Sequence, residues 1–423
     1  MDVIITPSKT GGILEIPSSK SVSHRKLICA ALSEEQSTLR NLSMSDDVEA
    51  TMNALSAIGA SFEPLSLRAY KIYPILRGIS GLSLQIDCRE SGSTLRFLLP
   101  ILAVLKKNAE IICSGRLPNR PLSPLYEELC AHGVLLSAQG KYPMTVGGSL
   151  DFGEYHLNGN VSSQYISGLM FALPLCAGNS HIVVSGPLES KSYIDLTMSV
   201  LAEYGIHIEE DEKGYFIAGG QKYCAPAESY VEADWSNAAF FLALGAIGKS
   251  PVTCRGLNEQ SLQGDRRILE LLSRFGAKIE HNEDAVTVYP SVLHGITVDA
   301  SDIPDLVPIL SVLGALSEGE TRIINAQRLR YKESDRLQAM QTGLALLGAD
   351  IVQTEDGLRI NGKKALCGGC VDGFGDHRIV MSFAVAAQRA SGNVRILGAE
   401  AHTKSYPDFF PDLRSVGADF YFE

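Results

Sequence analysis

The chain is a repeat. Six times an apolar helix tail runs into a glycine and then a short strand: S-A-I-G-A-S-F, C-A-H-G-V-L-L, A-E-Y-G-I-H-I, S-R-F-G-A-K-I, A-L-L-G-A-D-I and R-S-V-G-A-D-F. The glycines are Gly59, Gly133, Gly205, Gly276, Gly348 and Gly417, at intervals of 74, 72, 71, 72 and 69 residues. Glycine stops a helix because it accepts a left-handed backbone at little cost. A second marker keeps the same period. Polar clusters open apolar helices at S-S-K-S, E-S-G-S-T, V-S-S-Q, A-D-W-S-N, D-I-P-D and G-D-H-R. Measured from Lys20, Gly92, Ser163, Ser236, Asp305 and His377, the intervals are 72, 71, 73, 69 and 72. Two phases that agree define six copies of one unit, each read as strand, helix, strand, helix and a short strand pair. Such alternation predicts an α/β fold. A chain of 423 residues exceeds what one core serves, so more than one domain is expected.

The helix starts carry the chemistry. Residues 17–25 read P-S-S-K-S-V-S-H-R, between a strand-like I-L-E-I and an apolar K-L-I-C-A-A-L. The first turn of a helix has unpaired N–H groups and a partial positive charge. With Lys20, Arg25 and serine donors it makes an anion site. The same stretch also reads as N-capping by Ser18 or Ser19 beside solvated charge. It lacks the glycines of a Walker loop. Six such starts would line one face of a solenoid. In a closed arrangement they would converge on a highly charged anion.

Other polar clusters recur at equivalent places. R-L-R-Y-K-E-S-D-R, residues 328–336, sets Lys332 and Arg336 four apart, on one face if the run is helical; it also reads as a solvated network. D-I-P-D puts Asp302 at a cap position and Asp305 in a first turn, where a carboxylate can act as a base. G-D-H-R supplies His377 and Arg378, and A-H-T-K-S-Y-P-D supplies Lys404. E-S-G-S-T-L-R follows a strand and gives Gly92, which lets a ligand approach the backbone. R-L-P-N-R-P carries Arg120, and S-S-Q carries Ser162, Ser163 and Gln164. No metal set, Ser–His–Asp order or dinucleotide fingerprint is present.

Composition narrows the classes. A net charge of −11 argues against a nucleic-acid binder, which would carry a basic surface. It leaves small anions open, since a few local cations hold them. No apolar run is long enough to span a bilayer. The N-terminus lacks a basic region followed by an apolar core. Nine cysteines at scattered spacings fit a reducing cytoplasm. Cys367 and Cys370 form C-G-G-C, but nothing completes a zinc site around them.

Taken in order, S-K-S-V-S-H-R, E-S-G-S-T-L-R, R-P, V-S-S-Q-Y, S-K-S-Y-I-D, D-I-P-D, Y-K-E-S-D-R, D-H-R and K-S-Y-P-D resemble the EPSP synthase (3-phosphoshikimate 1-carboxyvinyltransferase) family of enolpyruvyl transferases. The resemblance runs nearly end to end. It implies a two-lobed inverse α/β prism, three repeats per lobe, with helices inside and sheets outside. It implies one lobe from residues 1–18 plus 231–423 and the other from 19–230, with a site complete only when they close. It further implies transfer of the enolpyruvyl group of phosphoenolpyruvate to the 5-hydroxyl of shikimate 3-phosphate, with no cofactor or metal.

The same resemblance assigns residues. Lys20, Ser21, Arg25, Ser162, Ser163, Gln164, Ser190, Tyr193, Asp305 and Lys332 would hold shikimate 3-phosphate. Lys20, Gly92, Arg120, Gln164, Arg336, His377, Arg378 and Lys404 would hold phosphoenolpyruvate. Asp305, Glu333 and Lys20 would move protons. The substrates bring roughly five negative charges. Seven cations (Lys20, Arg25, Arg120, Lys332, Arg336, Arg378 and Lys404), less Asp305 and Glu333, leave a net of five. Glu90 and Arg328 stand where relatives often carry asparagine. Gly92 follows the glyphosate-sensitive pattern, so glyphosate is an expected inhibitor. A monomer is expected, with no nucleic-acid or membrane partner.

Two enzymes and one scaffold compete with this reading. A UDP-N-acetylglucosamine enolpyruvyl transferase would need a loop cysteine where this chain has R-L-P-N-R-P; Cys113 and Cys130 only flank it. A phosphate-terminus RNA-processing enzyme on a similar repeat is disfavoured by the acidic balance. A non-catalytic repeat scaffold would tolerate loss of Asp305 and Glu333.

Overall fold

The structure is a computed structural model and describes residues 1–75 and 84–423. Among the described residues the strands form six four-stranded sheets. Contacts divide the chain into two units, Met1–Ser19 with Glu232–Glu423, and Lys20–Val231. Each has its own continuous apolar core.

One repeat shows the plan. Strand Leu84–Asp87 leads to helix Gly92–Val104, strand Ala109–Ile112, helix Leu125–Ala131 and strands Val134–Leu136 and Met144–Gly148. The first two strands pair in parallel, and the last two join antiparallel in the order first, second, fourth, third. A helix crossover permits the parallel step, and a short turn permits the hairpin. All six glycines of the period follow the second helix of their repeat and have positive φ, from 79° at Gly205 to 120° at Gly59. The backbone geometry therefore enforces the spacing.

Strands of the sheets alternate buried and exposed residues, as in Ala109–Ile112 and Val394–Leu397. One face meets the core and the other faces out. The first helix of each repeat is different. Trp235–Ile247 is buried along its whole length, which suits a helix that is apolar all round. In each unit the helices lie within and the sheets outside, as expected.

Three repeats borrow strands. Gly12–Glu15 pairs in parallel with Val252–Arg255 and opens the fourth repeat's sheet. Val3–Thr6 lies between Val394–Leu397 and Asp419–Phe422 and completes the sixth. Glu228–Tyr230 in turn opens the sheet of the first helix, paired with Ser37–Arg40. The strand exchange follows from a chain that leaves one unit, builds the other and returns. Lys26 fastens the returning strand: its Nζ donates to Tyr230 O at 2.9 Å, Ser229 Oγ at 2.8 Å and Glu203 Oε1 at 2.8 Å.

Close helix packing positions the second unit's polar groups. A Cβ at Gly168 would come within 2.4 Å of the Arg96 carbonyl oxygen. Only glycine lets Ser163–Ala172 lie this near Gly92–Val104, which brings Gln164 to Arg96.

Candidate active site

In the unit of Met1–Ser19 and Glu232–Glu423, the polar cluster centres on Arg336, which is 1% exposed. It is the first residue of helix Arg336–Leu346, which Asp335 caps by accepting from Gln338 N. Three carboxylates surround its guanidinium. Nη1 donates to Asp305 Oδ1 at 2.8 Å, Nη2 to Glu333 Oε2 at 2.9 Å, and Nε to Asp376 Oδ2 at 2.8 Å. Arg378 Nη2 donates to the other oxygen of Asp305 at 2.9 Å. Lys332 Nζ lies 3.9 Å from Asp305 Oδ1. Asp376 caps His377–Ala387 by accepting from Arg378 N, and also accepts from Ser334 Oγ at 3.0 Å.

The helical expectation for Lys332 and Arg336 is corrected. Lys332 ends the 3-10 turn Gln327–Tyr331, and the helix begins only after the Asp335 cap. The two cations share no helix face. They meet because both turn toward Asp305. Tyr331, at the end of that turn, is 61% exposed. Arg328 donates through Nη2 to Ser301 O.

Burial and charge set the proton affinities here. Burial pushes Asp305 upward, but Arg378, Lys332 and Arg336 together outweigh it and hold the carboxyl well below its usual value. Burial brings Lys332 down to about 8, with Asp305 opposing and Arg328 and Arg336 adding to the fall. Burial resists the charge on Arg336, yet Asp376, Glu333 and Asp305 raise its pKa overall. Asp265, hydrogen-bonded to Ser236 Oγ, is pushed up to about 7 by burial and by the charge of Asp305. His377 is 1% exposed, and its Nδ1 lies 3.7 Å from Asp376 Oδ1. Lys404 Nζ donates to Gly375 O at 2.7 Å, in the turn before His377.

The unit of Lys20–Val231 holds its cations differently. Arg25 is 3% exposed. Its Nε donates to Thr197 Oγ1 at 2.8 Å, Nη1 to Ser21 O at 2.8 Å and Nη2 to Tyr193 O at 2.9 Å. Its guanidinium sits 5.4 Å from the Phe97 ring centre and 5.9 Å from that of Tyr193. Burial lowers its pKa to about 10. Ser190, just ahead of helix Lys191–Glu203, has φ 56°. Lys20 pairs with Asp47 Oδ2 at 2.8 Å.

Gly92 lies between two guanidiniums. A Cβ there would stand 2.9 Å from Arg96 Nη1 and 3.0 Å from Arg120 Nη1. Arg96 donates to Gln164 Oε1 at 2.6 Å and Pro121 O at 3.1 Å. Gln164 Nε2 reaches Ser93 Oγ at 2.9 Å. Ser162 caps Ser163–Ala172 by accepting from Gln164 N. Thus Gly92, Arg120 and Gln164 form one group through Arg96, and Ser21, Arg25 and Tyr193 form another.

Sequence reasoning missed the partners. Arg96, Asp376, Asp47 and Thr197 stand inside these groups. Arg96 and Asp376 sit in E-S-G-S-T-L-R and G-D-H-R, one helix turn or less from a marker residue, which was the available signal. Asp47 and Thr197 gave none. Among the described residues, no three His, Cys, Asp or Glu side chains gather as a metal set. No helix among them is long and apolar enough to cross a membrane.

Known proteins resemble this chain along nearly its whole length. The family model for EPSP synthase (3-phosphoshikimate 1-carboxyvinyltransferase) matches residues 4–413. A 3-phosphoshikimate 1-carboxyvinyltransferase of Clostridium acetobutylicum is 45% identical over 427 residues, spanning 99% of this chain and 97% of the relative. One from Clostridium kluyveri is 42% identical over 421 residues, spanning 99% and 97%. The solved EPSP synthase of Acinetobacter baumannii superposes with a TM-score of 0.83 at 26% identity, over 100% of both chains. The enolpyruvyl transferase NikO of Streptomyces tendae shares the fold, with a TM-score of 0.78 at 17% identity over 99% of this chain and 98% of its own. With a full-length family match and full-length relatives above 40% identity, this chain belongs to the EPSP synthase family.

Proposed function

We propose that Asp305, Glu333 and Lys20 move the protons in this chain's transfer reaction, and that the cations of both units hold its two anionic substrates. The chain is a 3-phosphoshikimate 1-carboxyvinyltransferase of the shikimate pathway. It joins the enolpyruvyl group of phosphoenolpyruvate to the 5-hydroxyl of shikimate 3-phosphate and releases phosphate.

The chemistry is addition and then elimination. The 5-oxygen attacks the enol carbon as Asp305 takes the hydroxyl proton, and Glu333 delivers a proton to the methylene carbon. A tetrahedral phosphate-bearing adduct results. Glu333 then removes a methyl proton as the carbon–oxygen bond to phosphate breaks, and Lys20 protonates the departing phosphate. Lys332 orients the 5-hydroxyl and steadies developing charge. Ser21, Arg25, Ser162, Ser163, Gln164, Ser190 and Tyr193 hold shikimate 3-phosphate. Gly92, Arg120, Gln164, Arg336, His377, Arg378 and Lys404 hold phosphoenolpyruvate, together with Lys20.

The observation that carries this reading is the clamp on Asp305. Arg336 and Arg378 each donate to one of its oxygens, so the free carboxylate is a poor base. An anion that draws these guanidiniums away removes positive charge from Asp305 and raises its proton affinity. Binding of phosphoenolpyruvate thereby arms the base. The test is steady-state phosphate release with Asp305→Asn and Glu333→Gln, beside deuterium exchange into the phosphoenolpyruvate methylene. Both variants should lose about 10²–10⁴-fold in kcat with the fold intact, and Glu333→Gln should lose the exchange. Native turnover in either variant overturns the assignment.

The narrow gap that Gly92 keeps between Arg96 and Arg120 supports glyphosate as a ligand that competes with phosphoenolpyruvate. Raising phosphoenolpyruvate should relieve glyphosate inhibition, and inhibition indifferent to it refutes the competition. A cytoplasmic monomer accords with the acidic composition and scattered thiols.

A further inference from the structure

His24 lies in the polar stretch that opens the first helix, yet the assignments above leave it without a role. Its side chain is 1% exposed, and Thr51, Thr94 and Ser91 are each 0% exposed. These four form one hydrogen-bonded line. His24 Nδ1 is 2.7 Å from Thr51 Oγ1, and Thr51 Oγ1 is 2.7 Å from Thr94 Oγ1. Thr94 Oγ1 donates to Ser91 Oγ at 2.7 Å, and Thr94 N donates to the same oxygen at 3.2 Å. The line crosses helices Lys20–Leu32 and Asp46–Ile58 and ends on the cap of Gly92–Val104.

A hydroxyl has a single proton, so the direction of the line propagates. Thr94 sends its proton to Ser91 and is left to accept from Thr51. Thr51 then accepts from the Nδ1–H of His24. This fixes the tautomer, with Nε2 as a bare acceptor, and Nε2 has no hydrogen-bond partner among the described residues. Burial, helped by Lys20 and Arg25, pushes the His24 pKa well below its usual value, so the ring stays neutral and can serve in this single orientation. Water cannot replace any member of the line, and bonds in series strengthen one another.

We infer that His24 is a positioning residue for phosphoenolpyruvate: through Thr51 and Thr94 it fixes the Ser91–Gly92 turn relative to Lys20, one helical turn before it on its own helix. The inference rests on the reading that Lys20, Gly92 and Arg120 hold phosphoenolpyruvate. A shift of this turn alters the gap that Gly92 keeps between Arg96 and Arg120, while Arg25, held by Ser21 O, Tyr193 O and Thr197, is left alone.

Thr51→Val removes the central hydroxyl at nearly constant shape. It should raise KM for phosphoenolpyruvate about tenfold, the scale of one lost buried hydrogen bond, and leave KM for shikimate 3-phosphate within about twofold. Thr51→Ser, which keeps the hydroxyl, should restore the native value, and His24→Asn, which keeps a donor, should recover most of it. Ser33→Ala removes a buried hydroxyl just past the end of helix Lys20–Leu32, bonded to Cys29 O, and should move neither KM. Thr51→Ala serves if the valine variant does not fold. Unchanged KM for phosphoenolpyruvate in Thr51→Val, or equal rises in both KM values, overturns the inference. Gly92→Ala separates the two levels. If it raises KM for phosphoenolpyruvate while Thr51→Val does not, the positioning role falls and the site reading stands. If neither variant raises it, both fall.

Discussion

The two units anchor buried arginines in opposite ways. In the unit of residues 232–423, Arg336 is held by Asp305, Glu333 and Asp376. In the unit of residues 20–231, Arg25 is held by two backbone carbonyls and a threonine hydroxyl. Carboxylates cancel the charge they hold; neutral acceptors orient it and leave it uncancelled. One unit therefore stores carboxylates whose proton affinity depends on what Arg336 and Arg378 do, and the other orients Arg25 without a carboxylate.

Removing the anchors should expose that difference. Asp376→Asn strips a carboxylate from a fully buried pair and should cost about 3–5 kcal/mol in stability, measured as a fall in the denaturant midpoint. Thr197→Val strips a neutral partner from Arg25 and should cost about 1–2 kcal/mol, with a rise in KM for shikimate 3-phosphate as its functional trace. Equal losses would erase the distinction between the two anchoring modes. The smallest effect concerns pH. Lys332 has its proton affinity lowered by burial to about 8, so its charge is present below that pH and lost above it. Turnover should decline on the alkaline side near pH 8. Lys332→Arg, which stays charged, should flatten this limb by a few-fold at pH 9 even if its optimum rate is lower. A limb unchanged by the substitution assigns the titration elsewhere.

What the sequence made legible was local and periodic. The six glycines announced themselves because each must take positive φ after a helix, a demand that acts within a few residues. The helix starts were visible for the same reason, since caps and polar clusters are short-range signals. The site residues became nameable only as an ordered set of short stretches, by resemblance. The borrowed strands Gly12–Glu15 and Glu228–Tyr230 carried no such mark, because pairing over some 200 residues of intervening chain leaves no trace in spacing. Lys332 and Arg336 misled for a related reason. Four-residue spacing suggests a shared face, but the Asp335 cap starts the helix between them. Asp376 sits in a helix-start cluster and Asp47 in none that was singled out, and only the third dimension shows that they hold Arg336 and Lys20.

Val3–Thr6 has a further consequence for biosynthesis. Its neighbours in the sheet, Val394–Leu397 and Asp419–Phe422, leave the ribosome after every other strand of the described residues. Residues 20–231 contain all the strands of their own three sheets and can fold while translation continues. Val3–Thr6 must wait for its partners while all the strands of that other unit are made. Val3–Thr6 thus locks after the sheets of residues 20–231 are complete, and loss of Val394–Leu397 and Asp419–Phe422 leaves it unpaired.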